Sequence, residues 1–173
     1  AWQKIAPESP VNVPVAREEE GLEKHRETLD RVRHGIVIGQ PDKAKSLLSK
    51  LPKRLRPEAR LVVAELWHLL GEKNRVAGVL GDMTSAPPAM QAASEVLLGK
   101  PVNISKALEG RDKVEGCDFY IVAELLGRLN RTDEALKWAR SVRKAYSECA
   151  ESWVQEVELL LDTDQVGAAR ERA

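Results

Sequence analysis

One stretch of this chain occurs twice. Ile121–Ala135 reads IVAELLGRLNRTDEA and Val62–Val76 reads VVAELWHLLGEKNRV, aligned without a gap at an offset of 59 residues. The alignment sets Val62 on Ile121, Ala64 on Ala123, Glu65 on Glu124, Leu66 on Leu125, Leu70 on Leu129 and Val76 on Ala135. Each copy holds apolar residues three and four apart, then a turn, then the start of a second such run, the pattern of a helix folded back on a helix. An offset of 59 is too long for one helical hairpin and suits two. A hairpin has one apolar face that it cannot cover alone, so its neighbours must stack on it. The chain is therefore expected to be all-α and built from helical repeats.

Turn residues divide it further. Gly39, Gly71, Gly99, Asn130 and a point near Asp164 are spaced by 32, 28, 31 and 34 residues. They predict five hairpins, at approximately 17–51, 57–82, 87–109, 116–146 and 149–173. Arg17-Glu18-Glu19-Glu20 would open the first helix, with acids at the positive end of its dipole. Leu22, Leu29, Val32 and Ile36 continue its stripe. Pro41, Pro87-Pro88 and Pro101 suit helix starts, Pro52 and Pro57 bracket the loop ahead of the second hairpin, and Thr132 suits a helix cap. Gly78 lies inside a return helix, which predicts a close helix crossing there. Residues 1–16 carry Pro7, Pro10 and Pro14 with no apolar period, as an extended leader or linker would. Trp2 stands out in that leader as an aromatic with reason to dock.

Composition narrows the class. The 173 residues are 43% hydrophobic and 31% charged, with 27 basic against 27 acidic side chains. That neutrality gives no argument for nucleic acid or an anionic membrane. No apolar run approaches the roughly 20 residues of a membrane span, and no signal-peptide pattern is visible. The chain opens on Ala1 and closes inside a helical pattern, which suggests a piece of a longer protein. Cys117 and Cys149 are the only cysteines and sit at matching places in neighbouring hairpins. Helices pack at ~8–10 Å, whereas a disulfide needs Cα atoms within about 7 Å. The two read as free thiols, which favours a cytoplasmic, reducing setting.

Catalytic constellations are missing from the sequence. His25, His34 and His68 show no metal-ligand spacing, Cys117 has no base nearby, and no phosphate-binding or nucleophile-elbow motif occurs. The chain reads as a non-enzyme without metal or cofactor. Lys43–Arg60 is basic, with Lys50, Lys53, Arg54 and Arg56 as a possible docking patch. It has no aromatics to stack bases, so nucleic acid is not expected as a partner. Glu148, Glu151, Glu156, Glu158, Asp162 and Asp164 make the late segment acidic, which permits head-to-tail self-association. Trp67, Trp138 and Trp153 lie on helical stripes and read as core.

The fourth hairpin resembles a tetratricopeptide repeat. Its small residues Ala123 and Ala135, its turn at Asn130-Arg131, its later positions Ala139 and Val142 and its large residues Phe119 and Leu126 carry the likeness. Ala64, Gly71 and Val76 repeat it in the second hairpin, and Gly39 and Ala44 in the first. The resemblance implies a right-handed α-solenoid whose first helices line a concave groove for a peptide or partner domain. Carried over residue by residue, the groove would be lined by Leu61, Glu65, His68 and Leu69, by Tyr120, Glu124, Gly127 and Arg128, and by Val154, Glu158 and Leu161. Glu65, Glu95, Glu124 and Glu158 each precede an apolar pair and would form a carboxylate row. Such a row selects a basic segment, or is a solvated face with i,i+4 pairs such as Glu124 with Arg128. The leading expectation is a non-catalytic scaffold or adaptor for a protein or peptide partner. Alternatives are an assembly factor or chaperone of a bacterial secretion or envelope complex, and a regulatory or substrate-recruiting domain of a larger enzyme. RNA binding by a related helical array is disfavoured by the acidic row.

Overall fold

The computed structural model describes residues 22–162, and among them all regular structure is helical. A short 3-10 turn at Glu23–His25 leads into α1 (Arg26–Val37) and α2 (Pro41–Leu48). Then follow α3 (Pro57–Leu69), α4 (Lys73–Leu80), α5 (Pro88–Leu97), α6 (Ile104–Leu108) and α7 (Lys113–Cys117). The last three are α8 (Tyr120–Arg128), α9 (Thr132–Ala145) and α10 (Ala150–Asp162). None of these helices is long and apolar enough to cross a membrane.

Four of the turns are the same object. Gln40, Glu72, Lys100 and Arg131 donate their backbone N–H to Gly35, Trp67, Glu95 and Leu126, at 2.7, 3.0, 2.9 and 2.9 Å. Gly39, Gly71, Gly99 and Asn130 donate to the carbonyls of Ile36, His68, Val96 and Gly127. This pair of bonds satisfies the orphan carbonyls of a helix end, and it requires a left-handed residue at the turn. The φ values there are 70°, 77°, 71° and 58°. Glycine reaches them without cost, and asparagine is among the few others that do so readily. The spacing of turn residues in the sequence is thus a spacing of identical backbone devices.

Past three of these turns the chain re-enters a helix at its second residue, Pro41, Lys73 or Thr132, and α1/α2, α3/α4 and α8/α9 pack as pairs. The third pair differs. Helix α6 waits until Ile104, not Pro101, because the Asn103 side chain accepts the Lys106 N–H at 3.0 Å and sets the cap there. An asparagine side chain competes with the backbone and favours this position. Asp112 does the same for Glu115 and starts α7. Thr132, by contrast, is the first helical residue of α9 and not its cap. The cap position belongs to Arg131, whose guanidinium forks onto Glu134 at 2.7 Å through both contacts. Arg17–Glu20, Trp2 and the turn near Asp164 lie outside the described residues.

The first helices of the pairs form one row, α1 against α3, α3 against α5, α5 against α8 and α8 against α10. Small side chains let the two helices of a pair close up: Ala44, Ala64, Ala123, Ala135 and Ala139 are fully buried. Phe119 stacks parallel on Trp138 with ring centroids 5.9 Å apart. A Cβ at Gly127 would meet Leu159 Cδ2 at 2.9 Å, so glycine there permits the approach of α10 to α8. Gly78 has no such role. A Cβ there would meet nothing within 4 Å, so no close crossing explains it.

Two features of the last hairpins depart from the sequence reading. Cys117 and Cys149 form a disulfide, with Cα atoms 5.5 Å apart. The free-thiol expectation treated the helix-axis separation as a floor on Cα separation. Cys117 ends α7 and Cys149 lies outside any helix, in the connection between α9 and α10, so a helix-axis separation sets no lower bound on their distance. The reducing-compartment argument therefore falls away. Beside the bridge Lys113 pairs with Glu148, whose carboxyl is held below its usual range by that hydrogen bond and charge. The second feature is Glu156, counted above among the acids of the late segment. Its side chain is fully buried, at 3.0 Å from Arg140 Nε and 2.9 Å from Arg143 Nε. Arg143 in turn stacks over the half-buried Trp153, 4.6 Å from the ring centroid. Helices α9 and α10 are joined through this carboxylate.

Candidate functional site: a socket along the row of first helices

Position six residues before each turn faces the same hollow. It is occupied by Arg33 on α1, Glu65 on α3, Ala93 on α5 and Glu124 on α8, and all four line a cavity of about 390 Å³. Leu66, Ala93 and Leu125 form its buried floor, and Leu61, Val62, Met90 and Ile121 its half-buried walls. Val62, Glu65 and Leu66 therefore face Ile121, Glu124 and Leu125, their counterparts in the duplicated text, across Met90 and Ala93. The hollow exists because α5 carries a methyl group where both neighbours carry a carboxylate. Helices α3, α5 and α8 thus contribute one strip of the hollow each.

Arg128 organises the rim. Its Nε and Nη2 donate to Glu65 Oε1 and Oε2 at 2.6 and 2.9 Å, and its Nη1 donates to Glu124 Oε1 at 2.6 Å. The planar fork matches a carboxylate with two parallel bonds. Burial pulls the Arg128 guanidinium down, but the Glu65 hydrogen bonds and the charges of Glu65 and Glu124 outweigh it and hold the group above its usual value. The Glu65 side chain is only 13% exposed beneath this fork, whereas Arg128 and Glu124 are each 45% exposed. Glu65 is thus already neutralised by the protein, and Glu124 remains the reachable carboxylate.

The carboxylate row is only partly assembled. Glu95 is exposed and does not line the socket. Two residues of helix rotate a side chain by about 200°, so with Ala93 facing the hollow Glu95 points away. Registering the hairpins on their turns, rather than on the ELW and EVL text, would have placed Ala93 at the Glu65 position. His68 does not line this hollow: its Nδ1 lies 3.3 Å from the Leu97 carbonyl and ties α3 to the end of α5. Leu69 is 42% exposed near the turn after α3.

A second hollow of about 470 Å³ lies between α8 and α10 and shares Glu124 with the socket. Tyr120, Val154 and Glu158 line it as carried over from the resemblance, together with Glu151, Gln155 and Ala150. Its charged side chains are all acidic. The proposed basic patch lies elsewhere. Lys50, Lys53 and Arg54 are exposed beyond α2, Arg56 precedes α3, and none of them lines either hollow. Arg60, from the same basic run, turns inward to the carbonyls of Leu55 at 2.9 Å and Asp82 at 3.1 Å. Lys45 pairs with Glu72 at 2.6 Å. No family model, curated protein or solved structure matches this chain.

Proposed function

We propose that this chain is a non-catalytic protein-interaction module, a tetratricopeptide-like right-handed solenoid of about five hairpins that binds a peptide or partner segment along its first helices. The observation that carries this is the socket, apolar at its floor and walls, charged at its rim, and assembled from four separate helices. Such a hollow takes one large apolar side chain. The neighbouring acidic hollow adds a preference for a lysine or arginine beside it. Rim carboxylates set specificity and association rate, and the apolar socket contributes most of the affinity.

Selection of displayed random peptides on the immobilised chain tests this. Enriched sequences are expected to combine an aromatic or long aliphatic residue with a nearby base, and Met90→Glu, at the socket wall, is expected to abolish their binding with the helical circular dichroism unchanged. Enriched peptides that bind the Met90→Glu chain equally well would refute the groove reading.

The Cys117–Cys149 bridge favours one more specific version. A disulfide persists in oxidising compartments, which fits an assembly factor or chaperone in a secretion or envelope complex better than a cytoplasmic adaptor. Alkylation of the protein as it leaves its native cells, before any exposure to air, would show both cysteines blocked by the bridge; free thiols at that stage would remove this version.

A further inference from the structure

We infer that the cleft between α6 and the end of α9 is a second docking site, taking an acidic protein segment and independent of the socket. It lies among the second helices of the pairs and shares no lining residue with the socket or the acidic hollow. Its origin is a mismatch of lengths. Helix α6 has five residues and α9 has fourteen, about 7.5 Å against about 21 Å. So short a helix cannot fill the flank of α9, and an open cleft of about 950 Å³ remains between α6 and the last turns of α9. Two ties hold it in shape. The Asn103 side chain fixes the start of α6 through the Lys106 N–H. The Tyr146 hydroxyl, just past α9, donates to the Leu108 carbonyl at 2.9 Å and fixes its end.

The cleft offers donors. Lys106 on α6 and Lys144 on α9 line it from its two sides, both are exposed, and neither is paired with a carboxylate among the described residues. A backbone N–H can only donate, so Asn103 accepts from Lys106 through its oxygen and keeps both amide N–H groups for a ligand. Ser105 adds an exposed hydroxyl. Among the described residues lining the cleft, Glu109 alone is acidic. Beneath the charges, Leu108 is buried and Ile104 half-buried, which gives an apolar floor. No aromatic side chain lines it, so bases of a nucleic acid find nothing to stack on. The two ammonium groups flank a recess and not a flat face, which suits a chain better than a membrane surface. Carboxylates on either side of an apolar residue match both the donors and the floor. The module then holds two segments of opposite charge on different rows of helices.

Selection of displayed random peptides on the full-length Met90→Glu chain tests the inference with the socket blocked. Enriched peptides are expected to carry acids around an apolar residue and to bind the unchanged protein equally well. Lys106→Gln with Lys144→Gln, both at exposed positions, should weaken them by about three- to twentyfold, the effect of losing two exposed charge pairs, with the helical circular dichroism unchanged. Added salt should weaken them as well. Selection without acidic enrichment overturns the inference, and so do acidic peptides indifferent to the two lysines. Acidic peptides weakened instead by Lys53→Gln with Arg54→Gln would assign them to the connection after α2 and overturn it too. Displacement of the peptides by an oligouridylate of equal charge would make the cleft a general anion surface, which also contradicts the assignment. The socket is tested by Met90 and the cleft by Lys106 and Lys144, so either reading can fail while the other stands.

Discussion

Reducing the Cys117–Cys149 bridge changes no side-chain volume and opens a closed loop with a sequence separation of 32 residues. The loop contains α8 and α9, the pair that joins the socket to the last helix. In the chain-entropy description, closing a loop of this length removes about 12 cal/mol/K from the unfolded ensemble, which is ~3.7 kcal/mol at 25 °C. For a chain of 173 residues that corresponds to a fall in melting temperature of about 7–15 °C. Urea unfolding followed by far-UV circular dichroism, with and without a phosphine reductant, measures it. Cys149 is buried and Cys117 half-buried, so samples need reduction in urea followed by refolding under reductant. A Cys117→Ala, Cys149→Ala chain is the control, and it should lie near the reduced protein apart from the small cavity left at position 149. A midpoint shift worth less than about 1 kcal/mol, or two titratable thiols in the native protein prepared without reductant, would refute the reasoning.

Other outcomes follow from the same packing. Glu156→Ala removes a fully buried carboxylate from between Arg140 and Arg143. A broken buried pair costs about 3–5 kcal/mol; with Arg140 half-exposed, a loss of roughly 2–3 kcal/mol is expected in urea unfolding, and less than 1 would contradict the buried junction. Gly78→Ala, in open space within α4, should stabilise by about 0.5–1 kcal/mol, and a destabilised variant would mean that position 78 is crowded. Glu72, Asp82, Glu134 and Glu148 all have carboxyls held below their usual values, first by hydrogen bonds from Lys45, Thr84, Arg131 and Lys113. A depressed folded-state value contributes stability that is present above the unfolded value and lost as pH falls through the folded one. Melting temperature should therefore hold steady above about pH 5 and decline below pH 4.5; a melting temperature that rises on acidification would contradict these pairings.

Much of the fold was legible because its turns are backbone devices with a residue requirement. Gly39, Gly71, Gly99 and Asn130 mark left-handed positions, and glycine and asparagine are what such positions accept. The duplicated text singled out Glu65 and Glu124, and both line the hollow, yet nothing in it said that Arg128 would reach across to Glu65. That contact depends on how far α5 holds α3 and α8 apart, which is a property of packing. Ala93 was missed because the motif was aligned by text and not by the turn. Helix α7 was missed although Asp112 and Glu115 carry a recognisable start signal; its five residues are too short to show periodicity. Glu156 could not be found at all from composition, because a buried glutamate and a solvated one look alike in a run of acids. The disulfide was misjudged through geometry, as a bound on helix axes does not apply to Cys149 in the connection ahead of α10.

The account stands on the second and fourth hairpins meeting across the third, which brings Arg128 onto Glu65 at a sequence separation of 63. A double-mutant cycle with Glu65→Gln, Arg128→Gln and both together, read by urea unfolding of the full chain, measures that meeting directly. A two-bond fork with one partly exposed partner predicts a coupling of roughly 0.5–1 kcal/mol. Strictly additive single effects would mean that the two helices do not share a groove, and the socket with its proposed ligand would fall with them.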